Sequence, residues 1–145
     1  MAQLAPGDAA PAFSLLDDGG TTVSNDTLRG QRYVLYFYPA DDTPGCTKEA
    51  CDFRDQAHTL DAVVLGVSSD SAGSHAAFAQ KFNLKFPLLV DDGGALATRY
   101  GCWGGKDARR ATFVIDREGR IAGVFDPVKV DGHVLEVKAA LQTLP

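Results

Sequence analysis

The chain has little with which to hold a metal: three cysteines, three histidines and one methionine in 145 residues. No Cys-x-x-Cys and no His-x-x-x-His occurs, so the ligand spacing of a zinc site is missing and no metal is expected. Positive charge is also in deficit. Fourteen Lys and Arg against nineteen Asp and Glu leave a net charge of −5, which argues against nucleic acid, whose phosphates call for a basic surface. No apolar run approaches the roughly 20 residues of a membrane-spanning helix, so no membrane segment is expected. Met1 to Asp8 lacks both a basic n-region and an apolar h-region. A cytoplasmic location is therefore expected, where paired cysteines point to redox chemistry more than to structural disulfides. With no repeat, low-complexity tract or long linker, one domain over residues 1–145 is expected, large enough to bury a core.

What is present centres on residues 33–51. Tyr33 to Tyr38 holds four aromatics in six residues, an apolar run that suits a strand covered on both faces. Pro39 ends it. Thr43 then reads as an N-cap and Pro44 as the first helical residue, where its missing N–H costs nothing. Cys46 falls in the first turn of that helix, where free N–H groups and the helix dipole favour an anion, which makes it a candidate nucleophile. Cys51 lies five residues on. On a straight helix this is a rise of about 7.5 Å and a rotation of about 140°, or on the order of 8–9 Å between Cα atoms. A disulfide needs roughly 4.4–6.8 Å. If both thiols react, part of the helix must unwind in each cycle.

The rest of the pattern alternates. A short strand from Ala12 and a second at Thr21 to Ser24, around the Asp17-Asp18-Gly19-Gly20 turn, suggest an N-terminal hairpin. Ala62 to Ser68 is a strand, and Ser69 to Ser71 opens a helix running to Phe82. Phe86 to Val90 is a short strand before a helical segment from Ala95 to Tyr100. Ala111 to Asp116 and Arg120 to Phe125 read as a hairpin, and a last helix opens at Asp131-Gly132-His133 with Val134, Val137, Leu141 and Leu144 inward. Strands alternating with helices imply an α/β fold, with a central mixed sheet flanked by helices on both faces and an extra N-terminal hairpin.

The segment Thr43-Pro44-Gly45-Cys46-Thr47, between Tyr36-Phe37-Tyr38-Pro39 and Lys48-Glu49-Ala50-Cys51, closely resembles the active-site segment of peroxiredoxins. Within that family it is similar to the Q class, also called bacterioferritin comigratory protein. The similarity extends to residues 7–13, 86–89, 110–116 and 130–133. The resemblance implies a thioredoxin-like fold and a peroxidase that reduces hydrogen peroxide and organic hydroperoxides without metal or organic cofactor. It implies Cys46 as the peroxidatic and Cys51 as the resolving cysteine, with Thr43 and Arg110 in the site and Pro39 and Pro44 as positioning residues. Re-reduction by thioredoxin or a similar dithiol protein is expected, in a monomer or weak homodimer. One departure is the segment after Trp103-Gly104, where only residues 105–109 precede Arg110, fewer than the family commonly has.

Some positions keep alternatives open. Without the resemblance, Arg110 reads equally as a solvated charge beside Lys106 and Arg109. Glu49 reads as a solvated helix charge, with a tie to Arg110 as the alternative. Cys102 reads as a packing residue or, alternatively, as a second resolving thiol. His58, His75 and His133 show no partner pattern and read as surface or capping residues. Phe37 and Tyr38 are expected in the core, one of them able to line the peroxide pocket. Two other functions remain open on sequence: a thiol–disulfide oxidoreductase, disfavoured by the five-residue cysteine spacing, and a non-enzymatic redox sensor.

Overall fold

The computed structural model describes residues 4–144. Five strands form one sheet in the order β5-β4-β3-β6-β7: β3 (Tyr33–Phe37), β4 (Val63–Ser68), β5 (Leu88–Val90), β6 (Ala111–Ile115) and β7 (Ile121–Phe125). The central strand β3 runs parallel to β4 and antiparallel to β6, with Leu35 opposite both Leu65 and Phe113. The sheet is mixed, as the closing hairpin implied. Both faces of β3 are covered, and all five of its residues are buried, which is why its sequence shows no polar alternation.

Alternate residues feed two separate cores. Tyr33, Leu35, Phe37, Leu65, Val67, Leu89, Phe113 and Ile115 face α3 (Ala95–Arg99) and the N-terminal pair β1 (Ser14–Leu16) and β2 (Thr22–Ser24). Val34, Tyr36, Val64, Leu88 and Val114 face α1 (Pro44–Leu60), α2 (Ala72–Phe82) and α4 (His133–Gln142). Phe53 of α1 stacks on Tyr36 at 4.6 Å between ring centroids and meets the His133 ring edge-on. Burying such a ring is worth about 2–3 kcal/mol, so the inner face of α1 is firmly held. No helix among the described residues is long and apolar enough to cross a membrane.

The elements end where local chemistry requires. Helix α1 stops at Asp61 and α2 at Asn83, both in the left-handed conformation that closes many helices. The stretch Asp91 to Gly94 is more than a turn. The Asp91 carboxylate accepts the N–H groups of Leu96 and Ala97 at 2.8 and 2.9 Å and so caps α3. Gly94 has φ of 72° and lies against the Trp103 ring; a Cβ there would come within 2.2 Å of it. Strand β5 is shorter than expected, because Phe86 and Pro87 lie ahead of the ladder. Residues 104–109 close tightly: Gly104 N–H donates to Asp107 O at 2.8 Å, and Arg109 N–H to Cys102 O at 2.6 Å.

Candidate active site

At the C-terminal end of β3 the Tyr38 N–H donates to Val67 O at 3.1 Å, and the chain then leaves the sheet through Pro39 to Thr43. Helix α1 begins at Pro44, with Thr43 in the extended conformation of an N-cap. The Thr43 side chain does not cap, however. Its hydroxyl donates back to Ala40 O at 3.1 Å, which tightens the turn and leaves the oxygen's lone pairs facing outward from that bond. With no side-chain cap and no acid in its first turn, α1 keeps the electropositive character of its N-terminus.

Cys46 sits in that turn, 1% exposed. Arg110 Nη2 donates to its sulfur at 3.4 Å, and Arg110 Nη1 donates to Glu49 Oε1 at 2.8 Å. The register explains the meeting. Ala111 pairs with Phe37, so the residue just before β6 stands beside the residues just after β3. Arg110 is fixed further by its carbonyl, which accepts Val128 N–H at 3.1 Å. Gly45 belongs to the same arrangement, because a Cβ there would lie 3.0 Å from Arg110 Nη2. The neighbouring Arg109 points the other way, into a two-pronged contact with Asp126 at 2.6 and 2.8 Å. Two adjacent arginines thus separate into a surface clamp and a partner of Cys46 and Glu49.

Glu49 corrects the sequence reading. It is fully buried, and its Oε2 has no hydrogen-bond partner among the described residues. Burial pushes its carboxyl up to about 7, against the opposing pull of the Arg110 charge. The guanidinium is therefore shared between a buried carboxyl and a buried sulfur. Periodicity gave a weak signal for this, since Glu49 lies three residues after Cys46 on one helical face.

Cys51 is not brought to Cys46. It is half-buried on the same unbroken helix, and all three cysteines are free. Cys102 is buried without exposure, and burial pushes its thiol up to about 12, in keeping with a packing residue. Two histidines also correct the sequence reading. His133 is buried against Thr112 Oγ1 at 2.8 Å, and burial lowers its affinity for a proton. His75 is buried between Asp41 and β5. His58 is exposed, as read.

One described group could be considered for a metal: Asp41, Asp70 and His75, whose ligand-type atoms lie within 4.8 Å of one another. Three of its four carboxylate oxygens already accept protein donors. Asp41 takes Tyr38 and Ser74 hydroxyls, and Asp70 Oδ2 takes Ser68 Oγ and the Asp41 N–H. The set fits a hydrogen-bonded cluster better than a cation cage.

The AhpC/TSA family model matches residues 6–124. A putative peroxiredoxin Bcp of Coxiella burnetii is 48% identical over 93% of this chain and 97% of its own length. Peroxiredoxin Bcp of Bacillus subtilis is also 48% identical, over 95% and 93%. Among solved structures, peroxidoxin BcpB of Mycobacterium tuberculosis superposes with a TM-score of 0.90 at 35% identity, covering 99% of both chains. The bacterioferritin comigratory protein of Xanthomonas campestris, studied for alkyl peroxide reduction through trapped intermediate and ligand complexes, gives 0.87 at 35% identity over 95% and 98%.

Proposed function

The chain belongs to the AhpC/TSA family and is a thioredoxin-fold thiol peroxidase of the peroxiredoxin Bcp and Q kind, and from that premise we propose which residues carry the reaction. Cys46 is the peroxidatic residue. Its thiolate attacks one oxygen of a hydroperoxide, an S–O bond forms as the O–O bond breaks, and the second oxygen departs as hydroxide or alkoxide and takes a proton. The observation that carries this reading is the Arg110 guanidinium at 3.4 Å from the Cys46 sulfur in the first turn of α1. Arg110 supports the anionic sulfur and can donate to the peroxide as charge moves along the S–O–O line. The Thr43 hydroxyl, beside the same turn, orients the peroxide. Pro39 and Pro44 fix where the strand stops and the helix starts.

The product is a sulfenic acid on Cys46. Cys51 resolves it: the Cys51 sulfur displaces the hydroxyl as water, and a Cys46–Cys51 disulfide forms. That step requires the first turns of α1 to unwind, since an intact helix holds the two residues apart. A dithiol protein, thioredoxin or one like it, then reduces the disulfide and the helix reforms. A cytoplasmic setting supplies such a reductant. The chain acts as one folded unit, as a monomer or weak homodimer.

Mass spectrometry of peptides after one equivalent of hydrogen peroxide tests the scheme. A Cys46–Cys51 link within one chain is expected in the wild type. Cys51→Ser is expected to hold a trappable Cys46 sulfenic acid and to lose recycling by thioredoxin. A Cys46–Cys102 link, or normal recycling of Cys51→Ser, would overturn the resolving role of Cys51.

A further inference from the structure

Behind the turn that leads into α1 lies a second polar centre. Asp41 Oδ1 accepts the Tyr38 hydroxyl at 2.6 Å, and Asp41 Oδ2 accepts the Ser74 hydroxyl at 2.8 Å. The same Oδ2 faces His75 Nδ1 at 2.7 Å, while His75 Nε2 faces the Leu89 carbonyl oxygen at 2.8 Å. Both ring nitrogens therefore meet acceptors. A neutral imidazole carries one N–H and can serve only one of them; the imidazolium serves both. The His75 side chain has no exposure and that of Asp41 only 3%, so solvent cannot substitute for a missing donor.

We propose that His75, held as an imidazolium between the Leu89 carbonyl and the Asp41 carboxylate, is a positioning residue for the turn that carries Thr43 and Cys46, and that its deprotonation sets an alkaline limit on the peroxide reaction. Asp41 is two residues before Thr43, and its N–H donates to Asp70 Oδ2 at 2.9 Å, which also accepts Ser68 Oγ at 2.6 Å. The turn is thus gripped from α2, whose His75 is itself anchored on β5, and from the loop that follows β4. Asp42, between the gripped residue and Thr43, has φ of 57°, a left-handed conformation that a non-glycine residue keeps only when its surroundings hold it there. On its outer side Asp42 is tied to Lys81 at 2.8 Å. Releasing Asp41 would free this constrained residue and shift the Thr43 hydroxyl relative to Cys46. The inference rests on Cys46 being the peroxidatic thiol.

The groups facing His75 set the direction. Asp41 approaches from the turn, Asp70 from the loop before α2, the Tyr38 ring from the end of β3 at 6.4 Å, and the neutral Leu89 carbonyl from β5. Burial works against the ring's charge, but the Asp41 contact, the Leu89 carbonyl and the Asp70 charge together raise its affinity for a proton above the ordinary value of 6.5. Asp41 shows the reverse: burial opposes its charge, yet the His75 and Tyr38 contacts hold its carboxyl below the usual 3.8. The pair is intact between these two titrations. It fails as pH rises through the raised histidine value, when one acceptor is left facing a lone pair.

The test is the rate constant of the first peroxide turnover from about pH 6 to 10, in wild type, His75→Gln, Asp41→Asn and Cys46→Ser. Wild type is expected to slow on the alkaline side. His75→Gln, which keeps an amide donor but cannot titrate, should react about 10- to 100-fold more slowly near neutrality, the penalty of misplaced reacting groups, and should lose the alkaline fall. Asp41→Asn should also lose that fall while staying nearer to the wild-type rate. Its amide can donate to neutral His75 Nδ1 and still accept from Tyr38. If His75→Gln does not fold, Asp41→Asn decides by the same limb. A wild type with no alkaline fall, or variants that keep it, would overturn the proposal. Peroxide consumption by Cys46→Ser would instead remove the assignment on which it rests.

Discussion

Cys46 and Cys102 are both buried thiols, 1% and 0% exposed, each in the apolar core on one face of the same sheet. Their surroundings diverge from there. Cys102 packs under α3, where burial pushes its thiol up to about 12 and leaves it a small hydrophobe. Cys46 has equal burial but lies in the uncapped first turn of α1 with a guanidinium 3.4 Å from its sulfur. Burial alone makes a thiol inert. What separates the two sites is a charge carried into the low-dielectric interior on the residue just before β6, where it meets the residue that a strand–helix junction delivers. The arrangement has a cost, visible in Glu49, whose second carboxylate oxygen is buried without a hydrogen-bond partner among the described residues.

The sharpest way to break the contrast is to remove what is unique to the Cys46 side. In the proposed mechanism Cys46 is the nucleophile, so Cys46→Ser is expected to lose peroxide reduction altogether, measured as thioredoxin-coupled turnover, since a hydroxyl cannot replace a thiolate. Arg110→Met keeps the thiol and removes the charge, which should bring Cys46 towards the inertness of Cys102. The expected loss is about 10²- to 10³-fold in kcat/KM for peroxide, the scale of removing one donor to a developing anion. A variant within a few-fold of wild type would mean that the helix terminus alone activates the sulfur.

Much of this contrast was legible beforehand. The strand at Tyr33, the proline at the helix start and the five-residue cysteine spacing depend on neighbours in sequence, and the structure has the strand, the helix and both cysteines where that reasoning put them. Glu49, His75 and His133 were misread for one shared reason. Their partners lie 61, 34 and 21 residues away, and a polar residue on a helix looks solvated until the sheet order is known. Thr43 is the N-cap residue, as read, but where its hydroxyl goes was not legible: a side chain at an N-cap position has two nearby backbone options, and here Ala40 O takes the hydroxyl.

Glu49→Gln should have an intermediate effect, by relieving the cost on the Cys46 side. A carboxyl whose folded value is raised from 4.5 to about 7 binds more protons folded than unfolded between those limits. Its presence therefore lowers stability as pH rises through that window. Relative to wild type, Glu49→Gln should gain on the order of 1–3 kcal/mol in unfolding free energy between pH 5 and 8. Urea denaturation of the reduced proteins at both pH values checks this, and a difference that does not change with pH would show that Glu49 is not held near neutrality.

Cys102 should give the smallest effect, and that small effect completes the comparison. At neutral pH its thiol is protonated and enclosed, so it can react only when the structure opens. In a Cys46→Ser/Cys51→Ser background, iodoacetamide should label Cys102 at the rate of global unfolding, and labelling should accelerate in urea in step with loss of the fold. Cys102→Ala should leave peroxide turnover unchanged and cost on the order of 1 kcal/mol, the scale of a small cavity beside α3. Fast labelling of Cys102 in the folded protein would show that burial on this face is breached in solution. The two thiols would then differ only in degree, and the charge at Arg110 would no longer suffice to account for the reactivity proposed for Cys46 alone.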